Sequence, residues 1–328
     1  MAASGVYPAY DPLFRHIPDR TELEAICKHF GLGAFLHNHG DLGGAYNANL
    51  KIETDKGMFV CRIAFGLVGA EHIDYSLKVL SALEAADVPV LFPLINEQGI
   101  YYTQYKDRFL QVTPFIEGKP FDSSVEHART NGRLLRKMHD VLASFEAGPK
   151  PEWSNYPSNE ILSEGLKLLR ETCNPPEELM FRAERLYDLM MPEWCEYGGT
   201  LPETVIHGDW HTGNVLYGED GDIRAVMDFD FVQRAERLHD IAYMLWALLQ
   251  NDTFRHLGKA FLEGYGDLTP AERNVLPIAV ARAALFFVCT SSFHRNPSGE
   301  LNRQLEKQEP LIDWLVSEAD RSVVADLL

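Results

Sequence analysis

The sequence predicts an α+β chain of two lobes: a small antiparallel sheet, then a larger and mainly helical part. Two stretches, Leu42–Glu53 and Met58–Phe65, alternate apolar and polar residues around the turn Thr54-Asp55-Lys56-Gly57, which reads as a hairpin. After Pro120 the apolar spacing changes to three and four residues and stays helical almost to the end. The chain's 328 residues exceed a typical domain of roughly 100–200. The division falls near Glu117, giving residues 1–117 and 118–328.

The elements come in order. Thr21–Phe30 is an amphipathic helix with Leu23, Ile26 and Cys27 on one face, stopped by Gly31 and Gly33. The hairpin comes next, with Gly43-Gly44 at its start. Glu71–Ala86 has helical spacing at Leu77, Leu80 and Leu83. Val88–Ile95, Gly99–Tyr105 and Phe109–Ile116 read as short strands. Helices are expected over Ser124–Leu142, Asn159–Arg170 and Glu177–Met190. Short apolar runs at Thr204–Ile206, Asn214–Tyr217 and Ile223–Met227 interrupt them. Leu238–Leu249, Thr253–Tyr265, Pro270–Phe293 and the tail after Glu300 complete the helical set. Thr269-Pro270 with Glu272 is a strong helix start.

Composition narrows the function. A formal net charge of −18 opposes binding to nucleic acid or to an anionic membrane surface. It suits plain solubility or a cationic substrate. Cys27, Cys61, Cys173, Cys195 and Cys289 are scattered and form no C-x-x-C, so reduced thiols in a cytoplasm are expected. The first 20 residues lack the apolar core of a signal peptide. The most apolar stretch, Val275–Cys289, is short for a membrane span and contains Arg282. Oligomeric state is not legible.

Chemistry concentrates in His207-Gly208-Asp209-Trp210-His211-Thr212-Gly213-Asn214 and in Met227-Asp228-Phe229-Asp230. The first run places an Asp, four residues, then an Asn. The second places an Asp at the end of an apolar strand. Phosphoryl transfer needs a carboxylate to take the attacking hydroxyl's proton, and oxygen donors for a divalent cation on the phosphates.

These residues resemble the superfamily of aminoglycoside phosphotransferases, choline kinases and type II homoserine kinases, which has a protein-kinase-like bilobal fold. The likeness extends to Leu42–Asn47 at the first hairpin, Val112–Gly118 at the lobe linker, Gly132–His139 on the next helix, and Asp240-Ile241-Ala242. It implies an ATP- and Mg²⁺-dependent kinase acting on a hydroxyl of a small molecule. Carried over, Asp209 is the base, Asn214 and Asp228 hold Mg²⁺, and His207 braces the loop. Asp240 is an N-cap or loop brace. Gly44 and Asn47 lie at the nucleotide-covering hairpin, and Thr113 and Phe115 offer backbone groups to adenine.

Some positions depart from that pattern. Arg62 stands where a phosphate-binding Lys is usual, and its expected helical Glu is replaced by Ser76, leaving Glu71 or Asp74 as partners. Gly43-Gly44 is short of G-x-G-x-x-G, and no G-x-x-x-x-G-K-[ST] occurs. Asp230 could meet a second metal, the acceptor or solvent. Acceptor candidates are Asp230, His211, Trp153, Tyr156, Arg282, Ser291, Ser292 and His294. Arg282, in an apolar helix, calls for a carboxylate from the protein or from the acceptor. Resemblance of the C-terminal half to homoserine kinases favours an amino acid or amino alcohol, while the acidic charge equally suits an aminoglycoside or choline-like cation. Two rival readings are a metal-dependent hydrolase built on His207, Asp209 and His211, and a non-catalytic nucleotide-binding protein of the same fold.

Overall fold

A computed structural model of the chain describes residues 17–250 and 255–317. One antiparallel sheet has the order β1-β2-β3-β5-β4, from β1 (Phe35–Asp41), β2 (Ala48–Thr54), β3 (Gly57–Ile63), β4 (Thr103–Tyr105) and β5 (Arg108–Pro114). β2 alternates strictly between buried and half-buried residues. Its Leu50 and Ile52 pack with Cys61, Ile63 and Val112, and with Leu23 and Cys27 of helix α1 (Arg20–His29). Asp19 and Glu22 close a capping box at the start of α1.

Helix α2 (Ala70–Ala85) buries Val79 and Leu83 in the larger, mainly helical core, so it ties the sheet to the second half of the chain. That half contains α3 (Val125–Leu142), α4 (Asn159–Leu168), α5 (Glu177–Tyr197), α6 (Leu238–Leu249), α7 (Arg255–Tyr265), α8 (Pro270–Cys289) and α9 (Pro297–Val316). Between them run two strand pairs. β6 (Glu203–Ile206) pairs with β9 (Gln233–Glu236), and β7 (Val215–Tyr217) with β8 (Ile223–Val226). The expected bilobal α+β architecture is the one adopted. Residues 1–16, which bear on the signal-peptide reading, and the expected helix start at Thr253 lie outside the described residues.

Three details differ from expectation. β1 has no alternating apolar pattern because it is a largely exposed strand on the sheet's edge. Gly43-Gly44 therefore sits between β1 and β2, one hairpin earlier than the sequence suggests. Val88–Ile95 forms no strand, since Pro89 and Pro93 have no N–H to give, and only Val90 bridges to Val226. β9 is also unexpected, because Gln233-Arg234-Ala235-Glu236 looks like a polar loop.

α8, with the turn Thr290–Phe293, is long and apolar enough to cross a membrane, but most of it is buried within the protein. Neighbouring helices α4, α5, α6 and α9 surround it, which explains why it is apolar all round.

Helices α3 and α7 meet backbone to backbone. A Cβ on Gly132 would lie 2.1 Å from the Phe261 carbonyl oxygen, and one on Gly264 would lie 2.0 Å from the Arg129 carbonyl oxygen. The clash outweighs the helix propensity that Ala would add, about 1 kcal/mol. Gly132→Ala should therefore destabilise the protein by about 1–3 kcal/mol. In a thermal melt its midpoint should fall by several degrees, while Gly199→Ala, where a Cβ meets nothing within 4 Å, should leave the midpoint unchanged. Equal midpoints for Gly132→Ala and the parent would contradict this role for the glycine.

Candidate active site

The loop after β6 is gathered by one carboxylate. Asp240, in the first turn of α6 and fully buried, accepts the N–H of His207 at 2.8 Å and that of Gly208 at 2.9 Å. It also meets His139 Nε2 at 3.1 Å, whose Nδ1 lies 2.9 Å from the Tyr265 hydroxyl. Burial pushes the Asp240 carboxyl up, but the His139 contact and three nearby imidazoles more than offset it, leaving it below its ordinary value. Asp240 is thus a loop brace; the N-cap of α6 is Arg237.

Gly208 has φ +81°, and a Cβ there would sit 2.4 Å from the Phe231 carbonyl oxygen, so only glycine fits. His207 is buried. Its Nε2 donates to the Met227 carbonyl at 2.9 Å, and its Nδ1 accepts the Asp209 N–H at 3.2 Å. Burial lowers its pKa and keeps it neutral. Both ring nitrogens are engaged, so His207 cannot join Asp209 and His211 around a metal as the hydrolase reading requires. Among the described residues no cluster of three or more His, Cys, Asp or Glu is arranged to hold a metal ion. Trp210 anchors the loop, wholly buried with its Nε1 donating to Asn131 at 2.7 Å.

Asp209 is held at both oxygens. Asn155 Nδ2 donates to Oδ1 at 2.8 Å and Asn214 Nδ2 to Oδ2 at 3.0 Å. Burial raises the Asp209 pKa, but His211, 3.6 Å away, then His207 and Asn155 lower it further, to about 2. His211 shows the mirror effect: burial depresses it, Asp209 raises it more, and the net shift is upward. Asn214 spends its Nδ2 on the side chain and carbonyl of Asp209, which leaves its Oδ1 with no hydrogen bond among the described residues.

Met227 N–H donates to the Asn214 carbonyl at 2.9 Å, which brings Asp228 beside Asn214. Asp228 has φ +65°, a strained backbone for a residue with a Cβ and a frequent mark of functional positions. Burial and the neighbouring Asp230 raise its pKa, with Arg62 offsetting part of that.

Arg62 spans both acids. It reaches Asp228 at 3.1 Å and pairs closely with Asp230. This replaces the expected pairing with Glu71 or Asp74, because Asp74 is directed at Tyr102. α2 instead reaches the acidic segment through His72, whose Nε2 lies 2.6 Å from the Asp230 carbonyl oxygen, and through Ser76, which donates to the Phe229 carbonyl at 3.1 Å. Asp230 also accepts from Asn47 Nδ2 at 2.9 Å, and Asn47 Oδ1 accepts the Phe65 N–H. Asp230 is thus largely enclosed, and with Asn47 and Arg62 it joins the sheet to the loop. Gly44, at φ +123°, continues the glycine turn ahead of Asn47.

At the linker, the Phe115 N–H is committed to the Met58 carbonyl at 3.0 Å, so Phe115 has no amide for a base. Thr113 faces the same way, opposite Val60. Antiparallel alternation turns Val112 and Pro114 to the other edge, where the Val112 carbonyl accepts from Leu94.

The acceptor candidates separate. Arg282 is 1% exposed and has no carboxylate partner among the described residues. It donates to the Pro157 carbonyl and to Asn159 and lies 4.1 Å from the Trp194 ring. Burial lowers its pKa to about 10. The expected carboxylate is replaced by carbonyls and a ring face, and Arg282 pins the 153–159 loop. Tyr156 is spent on Glu236. Trp153, Ser291 and His294 line a cavity of about 380 Å³ walled by Tyr46, Trp246, Phe287 and Phe293. Trp246 packs on Tyr243, and the Tyr243 hydroxyl accepts from the Asn155 amide that holds Asp209, so the cavity adjoins the loop. The sequence alone does not single out Asn155, Tyr243 or Tyr46. Asn155 lies more than 50 residues from Asp209, so no local spacing marks it.

The model of the phosphotransferase enzyme family matches residues 39–277. The chain belongs to that family. This phosphotransferase is a small-molecule kinase with a hydroxyl acceptor. It is 26% identical over 300 residues to a homoserine kinase of Caulobacter vibrioides, covering 88% of this chain and 92% of that one. A microcompartment-associated aminopropanol kinase superposes with a TM-score of 0.74 at 17% identity, covering 94% and 99% of the two chains. An amicoumacin kinase in complex with AMP-PNP and Ca²⁺ superposes with a TM-score of 0.67 at 18% identity, covering 90% and 94%.

The brace has a pH signature. Asp240 titrates in the folded phosphotransferase below its ordinary value of 3.8. Its contribution is complete above about pH 4 and is lost as pH falls through the folded value. Urea midpoints measured between about pH 6 and pH 3 should fall less steeply for Asp240→Asn than for the parent. Parallel pH profiles would contradict the assigned role.

Proposed function

We propose that the chain transfers the γ-phosphoryl group of ATP to a hydroxyl of a small acceptor, with Asp209 as the base. The observation that carries this is the convergence of Asp209, Asn214 and Asp228 beneath Arg62. Asp209 stays ionised at neutral pH and can accept the hydroxyl proton. The acceptor oxygen then bonds to phosphorus as the bond to the β-phosphate oxygen breaks, and that oxygen leaves with the electron pair as ADP. Asn155 and Asn214 hold the carboxylate in one orientation, which limits the reorganisation needed at transfer. Arg62 supplies positive charge for the phosphates.

Asn214 Oδ1 and the Asp228 carboxylate are hard oxygen donors of the kind Mg²⁺ takes. When bound, Mg²⁺ neutralises charge on the phosphate oxygens. For adenine, the reading moves from Thr113 and Phe115 to the Pro114 carbonyl and the Ile116 amide on the opposite edge. The homoserine kinase relative supports an amino acid or amino alcohol acceptor, and the five free thiols fit a cytoplasmic location. The lobes meet at Glu117–Gly118.

ADP release with Mg·ATP should appear with one member of a panel containing homoserine, choline, ethanolamine, aminoglycosides and hydroxylated amino acids. Asp209→Asn should lower kcat by about 10²–10⁴-fold while leaving ATP affinity unchanged. Turnover that survives the substitution would overturn the role of Asp209.

A further inference from the structure

The charge around the aromatic cavity is opposite to that of the chain as a whole. The chain carries −18, yet the polar end of the cavity presents His294, Arg303 and Lys307 against a single carboxylate, Glu300. Glu300 is already paired with Arg303. No carboxylate among the described residues pairs with Lys307, which lies 5.8 Å from the Trp246 ring. Burial and then repulsion from Arg303 lower its pKa. His294 Nδ1 is shielded from solvent and makes no hydrogen bond among the described residues, an arrangement that asks for a partner.

The rest of the cavity is apolar. Trp153 stands edge-on to Tyr46 and Phe293, and Trp246 stacks on Phe287 with centroids 4.7 Å apart. A volume of about 380 Å³ corresponds to about a dozen waters at ~30 Å³ each. That is more room than a small hydroxy-amino acid fills. A polycation would bring its charges against Lys307 and Arg303 with no free acid among the described lining residues to meet them, so the cavity disfavours an aminoglycoside.

We propose that the acceptor is a carboxylate-bearing hydroxy compound with an apolar or aromatic body larger than homoserine's side chain. Its body lies between Trp153 and Trp246, and its carboxylate faces Lys307 and His294. This rests on the kinase reading only for the word acceptor, since the cavity's selectivity for ligands stands apart from transfer. Tyr46, which precedes Asn47 on the hairpin beside Asp230, also packs on Phe231. The same side chain therefore borders the acceptor cavity and the loop that carries Asp228.

The test is calorimetric titration of the full-length protein, without ATP, with four probes. They are phenyllactate, its analogue with a hydroxymethyl group in place of the carboxylate, homoserine and choline. Phenyllactate should bind about two- to fivefold tighter than its neutral analogue and tighter than homoserine or choline. Lys307→Gln, at an exposed position, should erase the preference for phenyllactate while leaving the neutral analogue's affinity unchanged. The proposal is overturned if choline binds best, if the preference survives Lys307→Gln, or if no probe gives heat. Those failures leave ATP turnover by the parent untouched. Conversely, a silent ADP-release assay with intact probe binding would count against the kinase reading and not against the cavity assignment.

Discussion

A single buried carboxylate organises this molecule. Asp240 lies at the base of a largely apolar helix, excluded from water, where an unpaired charge would be prohibitively costly. It is tolerated because two loop amides and an imidazole turn toward it. The same satisfaction fixes the backbone of His207 and Gly208, and through them the direction of Asp209. His139 on α3 and Tyr265 on α7 complete the chain of contacts, and the glycine-to-glycine crossing of α3 and α7 sets where that imidazole stands. Helix packing far from the loop thus reaches Asp209 through a short run of hydrogen bonds.

The second organising element is electrostatic. Asp209, Asp228 and Asp230 lie close together in an acidic chain, and burial, followed by repulsion from Asp230 and Asp209, pushes Asp228 up. Arg62 answers two of them at once, and Asn47 and His72 hold Asp230 from the sheet and α2. One guanidinium nitrogen, Nη2, meets both carboxylates while Nη1 reaches Gln111; the planar fork of Arg offers that third contact where a lysine ammonium would be a single point charge. The missing helical Glu is then no defect. The acids that answer Arg62 come from the 228–230 segment, and Ser76, in the Glu's place, bonds the backbone of that segment.

Much of this is legible in the sequence, and for identifiable reasons. The 207–214 and 228–230 runs are local, so their spacing survives as a pattern. Amphipathic α1 and α3 and the β2–β3 hairpin carry strong periodicity, and their positions match. The illegible features are non-local or lack a pattern. β1 sits at an exposed edge and needs no apolar alternation. Pro89 and Pro93 cancel a strand that apolar content suggests. Arg282 reads as half of an ion pair, but its partners are carbonyls and a ring face, which no residue type announces. Asn155 reaches Asp209 from an irregular loop whose position depends on Arg282. The amides of the linker can be assigned only once the ladder register shows which edge each faces.

If Asn214 and Asp228 form one divalent-cation position beside Asp209, the cation itself gives the most direct measurement. That measurement is anomalous diffraction from Mn²⁺ in crystals grown with a non-hydrolysable ATP analogue. A principal anomalous peak bounded by Asn214 Oδ1 and the Asp228 carboxylate is expected, and it should be lost in Asp228→Ala. A cation held elsewhere, or a peak that persists unchanged in that variant, would contradict the shared position.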